Sequence, residues 1–198
     1  YTTTGNVPYF ADPVDMLELL RAETLSDGSL TSRFGNETIY DPATRTLIVS
    51  APGANKVYTY INEGFYWRLS ATLSGGSTSQ FGTDIDYNSG RLVVGAPGVN
   101  RAYIYTRSGE GWSYSTYLSG SGAFGSSVAI DGNCIVVGMP SANVQYKSSG
   151  QADLNYWLNL GATGGAAVYT LSGSSWVQNR LLMPYDSGLP LTTSTWYQ

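Results

Sequence analysis

Residues that commonly carry chemistry are scarce in this chain. It contains no histidine and a single cysteine, Cys134, which removes serine–histidine catalysis and histidine-ligated zinc from consideration. Fourteen Asp and Glu residues remain, and two suitably spaced carboxylates are enough to hydrolyse a glycoside. No two of them form an obvious acid/base couple, so we predict a protein that is not an enzyme and needs no cofactor. A carboxylate-dependent carbohydrate-active enzyme is the catalytic alternative.

Two features that could take part in chemistry also have structural interpretations. Cys134 lies in the apolar run CIVVG, which favours a buried thiol that acts as a small hydrophobic residue over a nucleophile. Asp84 and Asp86 are two positions apart, so their side chains share one face of a predicted strand. A solvated strand face accounts for this pair.

The composition indicates an all-β protein. Charged residues make up only 12% of the chain, which instead has 24 Gly and 16 Tyr, a balance typical of strands and turns. The net charge of −4 and the scattered Lys and Arg argue against a nucleic-acid partner. No apolar run approaches the roughly 18 residues needed to cross a bilayer, so we predict no membrane insertion. Few Lys and many Tyr favour an extracellular or virion-surface location.

One sequence unit occurs three times. Each copy opens with Phe-Gly, passes through an apolar run that ends at Pro, continues into a Tyr-containing segment, and closes with Trp. The Phe-Gly pairs are 47 and 43 residues apart. We interpret the shared positions as structural: Phe34, Gly35, Pro52 and Trp67, then Phe81, Gly82, Pro97 and Trp112, then Phe124, Gly125, Pro140 and Trp176.

Each unit predicts four short strands. The first begins at Phe-Gly, and the second is the run LIVS, LVVG or IVVG, which is continuously apolar, as in a strand buried on both faces. The Tyr and Trp segments are the third and fourth strands. Four strands in 43 to 47 residues is the period of a β-propeller blade. Propellers typically use 4 to 8 blades, so we predict an array of three blades completed by further chain or by oligomerisation.

The predicted boundaries follow this period. Blade 1 spans 25–73, blade 2 spans 74–118, and blade 3 spans 119–183 with an insertion at about 144–164. Residues 1–24 are predicted to contain a short helix at about 13–19 and a leading strand. Residues 184–198 are predicted to form a tail or the start of a further unit. Because the chain begins with Tyr1 rather than Met, we expect a processed product or part of a longer polypeptide.

These repeats resemble the FG-GAP repeat, which is known from integrin α-subunit propellers. The bacterial and phage-associated form is the most similar, with the pattern FGxSVAIDG-x-x-IVVGxP. Residues 124–140, FGSSVAIDGNCIVVGMP, match that pattern nearly position for position, and residues 81–97 and 34–52 match it more loosely. The resemblance covers residues 19–183 and implies a propeller scaffold. It implies less about function, because one fold hosts many activities.

Members of the integrin type often bind calcium through an acidic loop between the two signatures. Such a loop must supply six or more oxygens, whereas residues 41–46, 88–91 and 131–134 contain one carboxylate or none each. These segments read as tight turns, with Asp131-Gly132 as a two-residue turn and Asn88-Ser89-Gly90 as a three-residue turn. We therefore predict no metal site.

The repeated Ala-Pro-Gly-x-Asn segment and the three Trp residues also have structural interpretations. Pro ends the buried strand, and Gly with Asn55, Asn100 or Asn143 shapes the turn that follows. A binding contact has no need to recur in every blade, whereas a packing contact does. We therefore interpret the Trp residues as packing groups rather than as platforms for sugar rings.

The insertion is the best candidate for partner binding, and a decorated loop with no partner is the alternative interpretation. It breaks the repeat and contains Tyr146, Lys147, Tyr156 and Trp157, and insertions into repeats emerge as loops, frequently on the binding face. We predict a structural and recognition module of an extracellular or virion (phage tail-like) assembly, which self-associates through strand edges. The partner is then a protein, either another copy or a larger assembly. A cell-adhesion or glycan-binding module, with a glycan or cell-surface receptor as partner, is the alternative.

Overall fold

The computed structural model describes residues 25–147 and 157–182. Within them the chain forms three antiparallel four-stranded sheets and one two-stranded hairpin, which confirms the prediction of an all-β protein. Sheet 1 consists of β1 (Thr38–Asp41), β2 (Thr46–Ala51), β3 (Lys56–Asn62) and β4 (Trp67–Ser74). Sheet 2 consists of β5 (Ile85–Asn88), β6 (Arg91–Ala96), β7 (Arg101–Ser108) and β8 (Gly111–Ser119).

Sheet 3 repeats this order with an insertion in the middle. Its strands are β9 (Ser127–Asp131), β10 (Cys134–Met139), β13 (Gly165–Ser172) and β14 (Ser175–Leu182). Between β10 and β13 the chain forms a separate hairpin of β11 (Asn143–Lys147) and β12 (Trp157–Ala162). The insertion, predicted as a loop, therefore has paired strands. The predicted helix at 13–19, the rest of the 1–24 segment and the tail at 184–198 lie outside the described residues.

The first strand of each sheet begins later than the sequence suggests. Thr38 and Ile85 each follow the Phe of their unit by four positions, and Ser127 follows its Phe by three. The Phe-Gly pair itself is a turn, in which the residue before Phe and the Gly after it both have positive φ. These angles are 56°, 54° and 61° before Phe and 85°, 88° and 93° at Gly. Gly adopts this conformation at no steric cost, which explains its place in each copy.

Two hairpin turns differ from their predicted form. In sheet 2, Asn88 pairs with Arg91, so Ser89 and Gly90 form a two-residue turn and the predicted three-residue turn is wrong. Both have positive φ, 49° and 78°, as the turns that suit twisted strands require. In sheet 3, Asp131 pairs with Cys134, so the turn contains the two residues after Asp131 and is shifted by one position.

A buried phenylalanine fills each junction between neighbouring sheets. Phe81 is fully buried in a cluster with Ile48 and Val57 of sheet 1 and Leu92 of sheet 2. Phe124 takes the same place between sheets 2 and 3. Each ring also packs on tyrosines of its own sheet, with ring centroids 5.5 Å and 6.2 Å apart for Phe81 and 6.3 Å for Phe124. Burial of these rings stacks the three sheets into one array.

Burial along the second strand of each sheet shows which faces of that sheet are covered. Along β6 all five residues after Arg91 are buried, and β2 is nearly as enclosed. In β10 burial alternates: Ile135, Val137 and Met139 are buried, whereas Cys134 and Val136 are half-buried. One face of sheet 3 packs on sheet 2, and no sheet among the described residues covers the other face. The continuous apolar run predicts burial on both faces. This holds for β6, which has a sheet on each side, and nearly holds for β2, where Phe34 and Leu25 pack on the face turned away from sheet 2.

Candidate functional site

The repeated proline segments form a small turn of fixed geometry. Pro52–Ala54 and Pro97–Val99 are single 3-10 turns, and each is followed by an asparagine in the left-handed conformation. Asn55 and Asn100 have φ of 54° and 53°, a conformation in which asparagine is several-fold enriched. In the third copy Asn143 instead begins the inserted strand β11, so the turn role predicted for Asn143 is wrong.

From that position the asparagine side chains join neighbouring sheets. The Asn55 Oδ1 accepts hydrogen bonds from the backbone N–H of Gln80 at 2.7 Å and the hydroxyl of Ser79 at 3.0 Å. The Asn100 Oδ1 accepts one from the backbone N–H of Phe124 at 3.1 Å. Each bond holds the turn that places the next phenylalanine. The repeated motif therefore supports the scaffold at these two junctions.

Asp84 and Asp86 also bridge two sheets. Their Oδ2 atoms accept hydrogen bonds from the backbone N–H groups of Val128 and Ile130 in β9, both at 2.7 Å. Both Asp side chains are half-buried, so the interpretation of a solvated face is wrong. The carboxylates occupy N–H groups on the edge of sheet 3, groups that would otherwise offer a template for another strand.

A polar cluster closes the junction of sheets 1 and 2 at the far end of the strands. The Asp41 Oδ2 accepts hydrogen bonds from the hydroxyls of Thr44 at 2.6 Å and Tyr87 at 3.1 Å. Burial alone would raise the pKa of the Asp41 carboxyl, but these two bonds, a backbone bond from Ala43 and the charge of Arg107 outweigh it. The pKa is therefore lowered from its ordinary 3.8.

Beside this carboxylate lie two buried donors without a hydrogen-bond partner in the described part of the chain, Arg107 Nη1 and Trp112 Nε1. The Arg107 Cζ atom lies 5.7 Å from the centroid of the Trp112 ring, which in turn meets the Tyr87 ring edge-on. Buried donors are nearly always paired, so these two are exceptions. Their place between two packed sheets indicates a structural cluster.

A tyrosine cluster covers the outer part of sheet 2, and sequence reasoning missed it. Tyr103 pairs with Tyr117 and Tyr105 pairs with Tyr114 across β7 and β8, with ring centroids 6.0 Å and 5.8 Å apart. The Arg101 guanidinium lies over the Tyr117 ring at 4.2 Å. Tyr114 and Tyr117 are 54% and 42% exposed, so the cluster presents aromatic faces and one cation to solvent.

A β-bulge explains why the sequence pattern concealed this cluster. Residues three apart in a strand point to opposite faces, yet Tyr114 and Tyr117 lie on the same one. The register of β7 and β8 shifts between Ile104 and Tyr105, which leaves one extra residue in β8. Burial raises the pKa of Tyr105 to about 12, with smaller contributions from the neighbouring Tyr103 and Tyr114. The cluster therefore runs from a buried interior to an exposed rim.

Three of the four candidate binding residues of the insertion lie in the β11–β12 hairpin. Lys147 pairs with Trp157, and Tyr146 pairs with Leu158. Tyr156, the fourth candidate, lies outside the described residues. The base of the hairpin is fixed where Gly164 donates its N–H to the carbonyl of Ala142 at 3.2 Å. The hairpin thus leaves sheet 3 at the point where sheets 1 and 2 have only the short proline turn.

The repeated tryptophans and the cysteine occupy packing positions. Trp67, Trp112 and Trp176 are each half-buried against a core cluster, and Trp67 meets the Tyr40 ring edge-on at 5.9 Å. Cys134 is half-buried on the face of sheet 3 turned away from sheet 2 rather than fully buried as predicted. The difference arises because the burial expected from its apolar run requires a neighbour on that face.

Across residues 25–147 and 157–182, no three Cys, Asp or Glu side chains come close enough to hold a metal ion. The same residues contain no helix with the length and apolarity to cross a membrane. No protein-family model matches the chain, and no curated protein matches it.

Proposed function

We propose that the protein is a non-enzymatic structural and recognition module of an extracellular or virion (phage tail-like) assembly. Its stacked sheets would form a scaffold that displays the β11–β12 hairpin to a protein partner, while the open ends of the array would drive self-association. The observation that carries this proposal is the contrast between the junctions and the insertion. The junctions repeat the same buried contacts, whereas the hairpin departs from the repeat.

Repetition of the junction contacts supports a scaffold role. Phe81 and Phe124 are at most 1% exposed, and an asparagine side chain holds each turn in place. Side chains that are buried in these contacts cannot also contact a partner. We also propose that the sheets are blades of an FG-GAP-type β-propeller completed by other chains or further sequence, a proposal supported by the three Phe-Gly copies and their four-stranded units.

The hairpin can be removed with little disturbance to the scaffold. Deletion of residues 144–164 joins Asn143 directly to Gly165, as Asn55 is joined to Lys56 in sheet 1. We expect the fluorescently labelled full chain to bind intact cells or particles of the organism that encodes it. The deletion variant should keep its melting temperature and lose that binding.

A matched control separates the hairpin from general surface chemistry. Tyr66→Ser removes an aromatic ring that is 54% exposed in the β3–β4 turn, and this variant should bind like the unchanged chain. Equal binding by the deletion variant contradicts the recognition role of the hairpin. Hydrolysis of a panel of chromogenic glycosides by the purified chain contradicts the non-enzymatic role.

The tyrosine cluster favours a second candidate, a glycan-binding module. Exposed tyrosine faces beside a guanidinium suit the apolar faces and hydroxyl groups of sugars. Tyr114→Ser combined with Tyr117→Ser would then abolish retention on a glycan array, while Tyr66→Ser would leave it unchanged. Retention by the double variant would rule out this cluster as the sugar site.

A further inference from the structure

The two ends of the array carry the two halves of one contact, and each end leaves exposed some side chains that the internal junctions bury. We define the head as the outer face of sheet 1, which presents Phe34 and Tyr40, and the tail as the outer face of sheet 3, which presents Ala129 and Val136. We propose that the tail of one copy binds the head of a second copy, so that chains stack head to tail. The inference rests on the proposed assembly role and identifies its partner as the chain itself.

The tail exposes residues whose counterparts in sheets 1 and 2 are covered by the next sheet of the array. Val136 occupies the repeat position of Ile48 and Val93, both of which are 0% exposed because the next sheet packs on them. Val136 is only half-buried, and its cross-strand partner Ala129 is exposed. The other partner of Val136, Val168, is half-buried as well. Within residues 25–147 and 157–182, the tail is therefore an apolar sheet face without the neighbour that its counterparts have.

The head shows the residues that fill such a face. Phe34 stands at the repeat position of Phe81 and Phe124 but is only half-buried. Tyr40 is 49% exposed, whereas Ile130, at the same position in sheet 3, is 5% exposed against sheet 2. The head thus carries a phenylalanine and a second apolar side chain in the places that the internal junctions use.

The glycines of the three Phe-Gly turns also indicate that the head lacks a neighbouring sheet. A Cβ atom on Gly82 or Gly125 would lie 3.0 Å or less from backbone carbonyls of the preceding sheet, those of Lys56 and Arg101. Gly35 has nearly the same φ, 85°, but a Cβ there would meet nothing within 4 Å. The head turn is therefore already shaped for close approach to a sheet that the described chain does not supply.

We assign a second copy of the chain as the partner because each chain carries both the head and the tail. Faces of the same two kinds already pack together at the two internal junctions, between sheets 1 and 2 and between sheets 2 and 3. Sheet faces rather than strand edges carry this contact, since Asp84 and Asp86 occupy N–H groups on the inner edge of β9. A head-to-tail contact is heterologous, so it produces a ring if the rotation closes and a filament if it does not.

Sedimentation velocity over a concentration series, with the full chain, tests the contact. Ala129→Lys places a charge on the exposed tail position, and Tyr40→Lys places one on the head. Because Tyr40→Lys also removes a ring contact with Trp67, circular dichroism must show that both variants stay folded. We expect the unchanged chain to form species above its 21.2 kDa mass and each variant to sediment as a monomer. Ser113→Lys, exposed on the outermost strand β8, should behave like the unchanged chain.

Mixing the two variants gives the decisive result. The Tyr40→Lys chain keeps its tail and the Ala129→Lys chain keeps its head, so an equimolar mixture should form a dimer of about twice the monomer mass and nothing larger. Loss of association in only one variant, or no dimer on mixing, overturns the head-to-tail contact. A monomeric unchanged chain also overturns it, and shows that the tail is covered within the chain or by another protein.

The outcome is distinguishable from failure of the proposed function. A chain that remains monomeric yet binds cells or particles through its hairpin overturns the stacking and leaves the recognition role intact. A chain that stacks but binds no surface supports the contact and contradicts the recognition role.

Discussion

Truncation of the buried phenylalanines offers the sharpest test of how this chain holds its sheets together. Phe81 is 0% exposed, whereas Phe34, at the same position of the first repeat, is half-buried. Phe→Ala in a core costs about 3–5 kcal/mol through lost burial and the cavity that remains. We expect about 4 kcal/mol for Phe81→Ala and about 1–2 kcal/mol for Phe34→Ala, which starts with only part of its burial to lose.

Urea denaturation followed by tryptophan fluorescence measures the difference. With a denaturant slope of about 2 kcal/mol/M, the midpoint should fall by about 2 M for Phe81→Ala and by less than about 1 M for Phe34→Ala. Both changes are made in the Ala129→Lys chain, so that dissociation of stacked copies does not contribute. If Phe81→Ala fails to fold, Phe81→Leu gives a milder loss, about 1 kcal/mol. Equal losses for Phe34→Ala and Phe81→Ala would refute the junction role.

Three further predictions address the polar contacts between sheets. Asp84→Ala should lower the free energy of unfolding by about 1–3 kcal/mol in urea denaturation, because it leaves a backbone N–H of β9 unpaired. Glu37 is the exposed acidic residue at the same repeat position, so Glu37→Ala should change stability by less than about 0.5 kcal/mol. Similar losses for the two variants would contradict the bridging role of Asp84. Asn100→Gly keeps the left-handed backbone but removes the side-chain bond, so it should still destabilise the chain by about 1 kcal/mol, and a neutral result would show that only the backbone matters. Because the pKa of Asp41 is lowered, its ionised form stabilises the folded state above pH 3.8, and this contribution is lost as the pH falls through the lowered pKa. Tyr87→Phe should raise the pKa of Asp41 in a carbon-13 NMR titration. An unchanged titration would exclude the Tyr87 hydroxyl as a cause of the lowered pKa.

Much of the architecture could be predicted from the order of residues. The all-β class and the four strands per repeat follow from alternating and continuous apolar runs, because strand periodicity is a local property of the chain. The positions of strand ends were less predictable. Phe-Gly reads as part of a strand, yet it forms a turn whose positive φ values only the backbone geometry reveals.

Sequence reasoning failed where a residue's role depends on a neighbouring sheet. Asp84 and Asp86 read as a solvated pair, and only the position of β9 shows that they accept its N–H groups. Tyr114 and Tyr117 have the wrong spacing to share a strand face, and a bulge brings them together. Both contacts join residues that local patterns treat as independent.

The repeating unit, its strand content and the scarcity of catalytic groups can be seen in the sequence, because they depend on residue types and on spacings within one unit. Which copies of a repeated residue are covered depends on the fold: Val93 is fully buried and Val136 is half-buried, although both lie in nearly the same apolar run. Their burial differs because sheet 3 packs on Val93, and the sequence of one repeat is the same whether or not another sheet packs on it.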